Sequence, residues 1–451
     1  MESVNRRGFI KKTGAVSAGL AIGVPAYIKG YAQKKPSDTI NVAVVGVNGR
    51  GGKYFGGTGH AANFTMIKNS RVHTICEVDQ NIIPQAIADI EKIGGKKPNV
   101  VENFQDLLTN KEIDAISIAT PDYWHALMSI WACQAGKDVY VEKPISYTLE
   151  EGRKMVEAAR KYGRVVQTGT QSRSNRIVNK AIQLLHDGVI GDIYMGRGIV
   201  YGFRKSIGRV KDSPIPAGIN WDLHLGPTAY RPFNANHFHY NWHWYWETST
   251  AEFGNNGVHV MDEVRWGMNK RVHPKKISCV GGFYAWDSDQ DIPNLQVGTF
   301  EYEDGSIMEL EVRSLYTNNE DGGKDGCFFY GTKGYMHLTG EKYEIYLGGK
   351  KDPDQKLTEK ELPEDPLIKA GIEPHFVNFL DCMRSRKWQD LNADILEGHM
   401  STGMMHLGNI AYRTGRKLIF NGQSEKFVRD DDANNYLTRE YRAPYVMPDK
   451  I

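Results

Sequence analysis

Asp138-Val139-Tyr140-Val141-Glu142-Lys143-Pro144 is a short apolar run that stops at a charged pair and a proline. Such a run predicts a buried parallel strand ending in a turn. Ligands of open α/β sheets sit outside the carboxyl ends of the strands. A lysine at this strand end therefore faces whatever the sheet binds. Pro144 removes a backbone donor and restricts Lys143 to extended backbone, which fixes the direction of the side chain. Lysine also lowers its pKa readily in a desolvated cleft and then trades protons near neutral pH. Taken alone, the stretch reads as plainly as a proline-ended strand with a solvated amine. The chain on either side decides between the two.

Upstream, Asp114 to Ala119 reads as another strand, ending at Thr120-Pro121-Asp122-Tyr123-Trp124-His125 and leading into a helix through Ala135. Downstream come a helix from Leu149 to Tyr162 and a strand from Val165 to Gly169. Nearer the N-terminus, Thr39 to Val45 is a β-branched first strand, followed at once by Gly46-Val47-Asn48-Gly49-Arg50-Gly51. Glycines there let backbone approach a pyrophosphate, and the next helix offers its N-terminal amides to the charge. Asn48 stands where the second glycine of G-x-G-x-x-G belongs; Gly49 and the tolerance of asparagine for left-handed backbone compensate. Arg71 to Cys76 reads as the second strand, ending at Glu77-Val78-Asp79. An acid at that position accepts from ribose hydroxyls and repels a 2′-phosphate, which favours NAD, while Arg50 keeps NADP open. His125 reads first as a helix-start residue satisfying backbone groups. Strands alternating with helices imply parallel βαβ units.

The chain has 451 residues, 40% hydrophobic and 24% charged, with a formal net charge of +2. That is an ordinary globular composition, and the charge gives no case for nucleic acid or a membrane surface. The cysteines, at 76, 133, 279, 327 and 382, are scattered with neither disulfide nor metal spacing, so no metal is expected from them. At the start, Asn5-Arg6-Arg7-Gly8-Phe9-Ile10-Lys11-Lys12 precedes a weakly apolar stretch and the small residues Gly30-Tyr31-Ala32. This resembles a twin-arginine export signal over residues 1–32, too short and glycine-rich to span a membrane once cleaved. It implies a periplasmic or otherwise exported protein that travels folded and holds its cofactor tightly.

The order of motifs is itself informative: glycine loop, acid at the second strand end, Ala-Thr-Pro-Asp-x-x-His at 119–125, Glu-Lys-Pro at 142–144, then Gln167-Thr168-Gly169-Thr170-Gln171-Ser172-Arg173. It resembles the Gfo/Idh/MocA family, named for glucose–fructose oxidoreductase, inositol dehydrogenase and rhizopine catabolism. The resemblance implies an α/β fold with an N-terminal Rossmann domain over 38–170. It also implies a C-terminal α/β domain over 171–420 with an open, mainly antiparallel sheet, and a tail over 421–451. It implies a cofactor set of Gly46, Asn48, Gly49, Arg50, Gly51, Glu77, Thr120, Pro121, His125, Glu142, Lys143 and Gln171. A homo-oligomer is expected, with a small carbohydrate as partner.

In the second half, His237 to Trp246 is an aromatic and histidine-rich stretch, suited equally to a carbohydrate face or a core layer. Gly254 to Asp262 reads as a helix start carrying Asn255, His259 and Asp262 on neighbouring turns. The family resemblance places an Asp-x-x-x-His pair here, opposite the Glu-Lys-Pro lysine, and this chain has Asn255 at the aspartate position. Asparagine bonds a hydroxyl but takes no proton. Catalytic roles are therefore expected of His259 as proton acceptor, Lys143 as polariser or shuttle, and Asn255 as orienter, with the first two interchangeable. The leading expectation is hydride transfer between NAD(P) and a sugar carbon. The alternatives are an NAD-dependent glycosidase working by transient oxidation and elimination, and a non-catalytic sugar-binding protein.

Overall fold

The structure, a computed structural model, describes residues 39–52, 59–315 and 325–451. The paired-arginine segment, Gly56 to Thr58 of the first crossover, and Asp321 to Lys324 lie outside the described residues. Six strands form the first sheet: β1 (Ile40–Val45), β2 (Ser70–Cys76), β3 (Asn99–Val101), β4 (Ala115–Ile118), β5 (Asp138–Val141) and β6 (Val166–Thr168). All are parallel and their spatial order is β3-β2-β1-β4-β5-β6, the doubly wound order of a Rossmann sheet. β4 and β5 are buried at every position, which is why they read as unbroken apolar runs rather than alternating ones.

Ten strands form the second sheet: β7 (Ile193–Val200), β8 (Lys276–Gly282), β9 (Leu295–Glu301), β10 (Ile307–Arg313), β11 (Asp325–Gly331), β12 (Gly334–Leu338), β13 (Lys342–Leu347), β14 (Gln355–Thr358), β15 (Leu418–Asn421) and β16 (Lys426–Phe427). Its order is β14-β13-β12-β11-β7-β10-β9-β8-β15-β16, and only β7 and β10 run parallel. β9 and β10 alternate buried and half-buried residues, the mark of a sheet with one covered face. The five cysteines are all buried thiols, as their spacing implied. Among the described residues no helix is long and apolar enough to cross a membrane.

Two connections lock the sheets together. The helix Pro374–Ser385 returns from the second sheet to the first, where Phe376 stacks on Tyr140 of β5 with ring centroids 4.6 Å apart. Beneath both sheets, Arg173 forks onto Asp262 at 2.7 and 2.9 Å, and Glu397 accepts from Arg173 and Arg265. Ser401 donates to the same Asp262 carboxylate at 2.6 Å. This buried set joins the end of β6 to the helices Val258–Gly267 and Ile395–Thr414. The C-terminal residues fold back over their own chain: Arg439 pairs with Glu151, and Met447 is buried in the first domain's core. Phe376→Ala empties a fully buried site and is expected to cost about 3–5 kcal/mol, read as a lower chemical-denaturation midpoint.

Candidate functional site

The glycine loop follows β1 as a turn. Gly46 has φ +79°, and a side chain there would meet the Ala119 carbonyl at 2.7 Å. A side chain at Gly51 would meet the Gly46 carbonyl at 1.9 Å. The loop therefore folds tightly only because both positions are glycine, and the fold offers backbone to a dinucleotide. Gly49 faces open space. Glu77 accepts from the backbone N–H of Val47 at 2.8 Å, and its other oxygen accepts from Val78 and Asp79. Its carboxylate thus shapes the loop and the end of β2 together. Asp79, two residues on, faces His239 Nε2 at 3.2 Å.

Glu142 is the hub of the cleft. One carboxylate oxygen accepts from His60 at 2.9 Å, Gln171 at 3.0 Å and Arg50 at 3.3 Å. Arg50 also reaches Glu373 at 2.7 Å, so in this arrangement its guanidinium joins carboxylates rather than standing open for a phosphate. Gly169 makes the room: a side chain there would lie 2.7 Å from the Glu142 carboxylate. Burial opposes ionisation of Glu142, but His60, Arg50 and Lys143 overcome it and hold the carboxyl well below its usual range. His125 is a brace. Its ring nitrogens lie 2.7 Å from the Pro144 carbonyl and 2.8 Å from the Thr120 carbonyl, tying the ends of β4 and β5. Pro121 caps the helix Asp122–Gln134.

Lys143 leaves this hub and points toward the second domain. Its Nζ donates to the backbone carbonyl of Asn255 at 2.9 Å and to Asn255 Oδ1 at 3.0 Å. Asn255 sits on a π-helical turn, Phe253–Gly257, that precedes the helix Val258–Gly267. The wider turn aims its carbonyl and side chain at the same amine. Asn255 in turn donates to Glu252 at 3.0 Å, and Glu252 pairs with Arg204 at 2.8 Å. Burial lowers the Lys143 pKa, with Glu142, Asp122 and Glu252 opposing. Burial and the Lys143 charge push His259 down to about 3, so its ring is neutral at physiological pH. His243, from the aromatic stretch, is likewise pushed to about 3 and stacks on Trp242 at 3.6 Å. Asp122, bonded by Thr250 at 3.1 Å, is pushed up to about 7 by burial against the pull of Lys143. Asp262 does not join this group; Arg173 and Ser401 hold it.

Sequence patterns brought Lys143, Asn255 and His259 forward, but not Glu252, Arg204, Asp122, His60 or His243. Glu252 lies one turn before Asn255, and that spacing is the signal that would have found it. Also unforeseen is a strap from the second domain across the end of β2. Asp79 bridges to Ile219, Asn220 N–H donates to the Val78 carbonyl at 2.9 Å, and Asn48 meets His239 at 2.6 Å. The aromatic stretch divides: Trp244 is buried, whereas Trp246 lines a cleft with Tyr147 and Arg413.

Two outcomes are expected. Because Glu142 is held ionised, its contribution to stability is full at neutral pH and is lost as pH falls below about 4. Glu142→Gln should therefore be less stable at pH 7, and the gap should close in acid, measured by denaturant titration across pH. Asn255→Asp places a carboxylate against Lys143 and Glu252, and should raise the Lys143 pKa, read from pH-dependent amine reactivity.

The comparisons with known proteins agree with the two-domain fold. Residues 40–170 match the oxidoreductase family's NAD-binding Rossmann fold, and residues 201–447 match its C-terminal alpha/beta domain. A glycosyl hydrolase family 109 protein of Shewanella baltica is 28% identical over 215 residues, 44% of this chain and 46% of the relative. An alpha-N-acetylgalactosaminidase of Shewanella oneidensis is 26% identical with the same coverage. The chain spans about half the length of the curated relatives it matches. Three solved structures share the fold. The WlbA dehydrogenase of Bordetella pertussis, in complex with NADH and UDP-GlcNAcA, is 19% identical with a TM-score of 0.60, covering 85% of this chain and 99% of its own. The aldose-aldose oxidoreductase of Caulobacter crescentus is 17% identical with a TM-score of 0.61, covering 85% and 100%. A levoglucosan dehydrogenase is 15% identical with a TM-score of 0.63, covering 85% and 99%. With both domain models matched over most of its length, the chain belongs to the Gfo/Idh/MocA oxidoreductase family and carries that family's NAD-binding domain.

Proposed function

We propose that the chain is an NAD-dependent oxidoreductase moving hydride between the cofactor and a carbon of a sugar or sugar derivative. The observation that carries this reading is the Lys143 amine, buried at the mouth of the Rossmann sheet and held on two oxygens of Asn255. The glycine loop, Glu77 and the strand ends at Thr120 and Glu142 would hold NAD; Gly46 and Gly51 leave the hollow that a side chain would fill. Negative charge from Glu77 and Asp79 at the end of β2 supports NAD over NADP. Bound there, NAD supplies a hydride acceptor. The remaining work is proton transfer and orientation. We assign the substrate hydroxyl's proton to Lys143, whose depressed pKa makes the neutral amine accessible, and orientation of that hydroxyl to His259 and Asn255. With His259 pushed so low, this reverses the roles first expected of the pair. Tyr240, exposed beside Arg204, suits a carbohydrate face.

The strap favours a second reading. With His239 joined to both Asn48 and Asp79, the second domain closes over the edge where the adenosine would lie. A cofactor kept in place turns over only if each substrate returns its hydride. A redox-neutral glycosidase works in this way: the sugar carbon is oxidised, the aglycone is eliminated to leave a conjugated double bond, water adds at the vacated carbon, and the carbonyl is reduced again. The relatives named as glycosyl hydrolases support it. Export through a twin-arginine signal completes the proposal, and N-terminal sequencing of the mature protein tests it.

The purified protein is to be given free sugars and aryl glycosides while cofactor absorbance and aglycone release are followed together. Net cofactor reduction by free sugars supports the dehydrogenase; aglycone release without net reduction supports the glycosidase; failure of the folded protein to bind NAD overturns both. Lys143→Met should lower kcat by about 10²–10⁴-fold while NAD stays bound. In the oxidising direction, wild-type kcat/KM should rise with pH and level off at a midpoint below the ordinary lysine value. That limb should be missing from the variant.

A further inference from the structure

Outside the cleft, three side chains from separate segments converge. His273 lies in the loop before β8, His399 in the helix Ile395–Thr414, and Glu425 in the turn between β15 and β16. The two imidazole Nε2 atoms stand 2.9 and 2.7 Å from the same Glu425 oxygen, and all three donor atoms lie within 4.8 Å of one another. Both imidazoles are buried, with side chains 3% and 1% exposed. Arg153 approaches the carboxylate from the solvent side, at 2.6 Å from that oxygen and 3.0 Å from the other.

Hydrogen bonding alone explains this arrangement poorly. One carboxylate oxygen receives three donors while its partner receives one. The backbone has also been cleared around the rings. A side chain at Gly152 would lie 2.7 Å from His399 Nδ1, and side chains at Gly403 and Gly422 would each come within 3.2 Å of His273. Two imidazoles and a carboxylate form a donor set of borderline softness, which fits zinc among the common divalent ions.

We propose that His273, His399 and Glu425 form a divalent transition-metal site, with zinc its best-fitting occupant. Both Nε2 atoms then offer lone pairs instead of sharing protons with one oxygen. Arg153 keeps its Nε bond to the outer carboxylate oxygen and gives up the inner one; its side chain is 36% exposed and has solvent to move into. The vacated position goes to water. None of Lys143, Asn255 or His259 belongs to the set, so the ion acts as a cross-link. It joins the β15–β16 hairpin to the helix and to the loop that enters β8.

The test uses tag-free full-length protein, stripped with chelator, given one equivalent of zinc chloride, desalted and assayed for metal. About one zinc per chain is expected, together with a Tm raised by about 5 °C over the stripped protein. Glu425→Gln preserves the shape and the Arg153 contact, and should weaken zinc at least about tenfold in competition with a chelating dye. His399→Asn should do the same. NAD binding by each sample shows that it is folded. Folded wild-type protein that keeps less than about a tenth of an equivalent overturns the site, and so does equal zinc retention by folded Glu425→Gln.

Discussion

Everything at the cleft depends on keeping one buried carboxylate charged. Glu142 sits where an isolated charge would be costly, and His60, Arg50, Gln171 and Lys143 surround it. Each partner comes from a different part of the fold: the glycine loop, the first crossover helix, the segment after β6, and the strand end itself. Breaking the charge would release all of them together. Such a cluster adds little net stability over a well-packed apolar core, but it fixes one geometry. That geometry aims Lys143. The same hub keeps the glycine loop closed through Arg50, which also draws in Glu373 from the return segment.

The Lys143 amine then reads the second domain. A π-helical turn presents a main-chain carbonyl and the Asn255 amide oxygen to it together. An aspartate would hold the amine in its charged form; an asparagine solvates it and leaves the proton balance to burial and to more distant acids. Glu252, one turn back, supplies negative charge at one remove through the Asn255 amide. The asparagine therefore stands between the amine and the acid, Glu252, that it bonds.

The first sheet was legible because strands buried on both faces are mostly apolar, and β1, β4 and β5 carry only one polar residue each, Asn41, Ser117 and Asp138. Lys143 was singled out at a strand end, and Asn255 and His259 by helical spacing and the family resemblance; the structure brings Lys143 and Asn255 into contact. The strap over β2 was not legible: residues 203–245 form extended backbone and helical pieces too short to show a period, and their partners lie far away in sequence. The Glu142 hub was half legible. Its lysine and glutamate stood in a motif, but His60 and Arg50 came to it only through tertiary packing. Asp262 stays one turn from His259 on the helix Val258–Gly267, as helical spacing implies, but Arg173 and Ser401 occupy its carboxylate.

The Arg173–Asp262–Arg265–Glu397 set has a mechanical consequence. Molecules built from two domains often open and shut about a flexible joint. Here the joint is filled by buried ion pairs, and a helix from one side is driven into the other through the Phe376–Tyr140 stack. Swinging the halves apart would unstack Phe376 from Tyr140 and pull Lys143 off Asn255, so the amine keeps its aim only while the two domains stay docked.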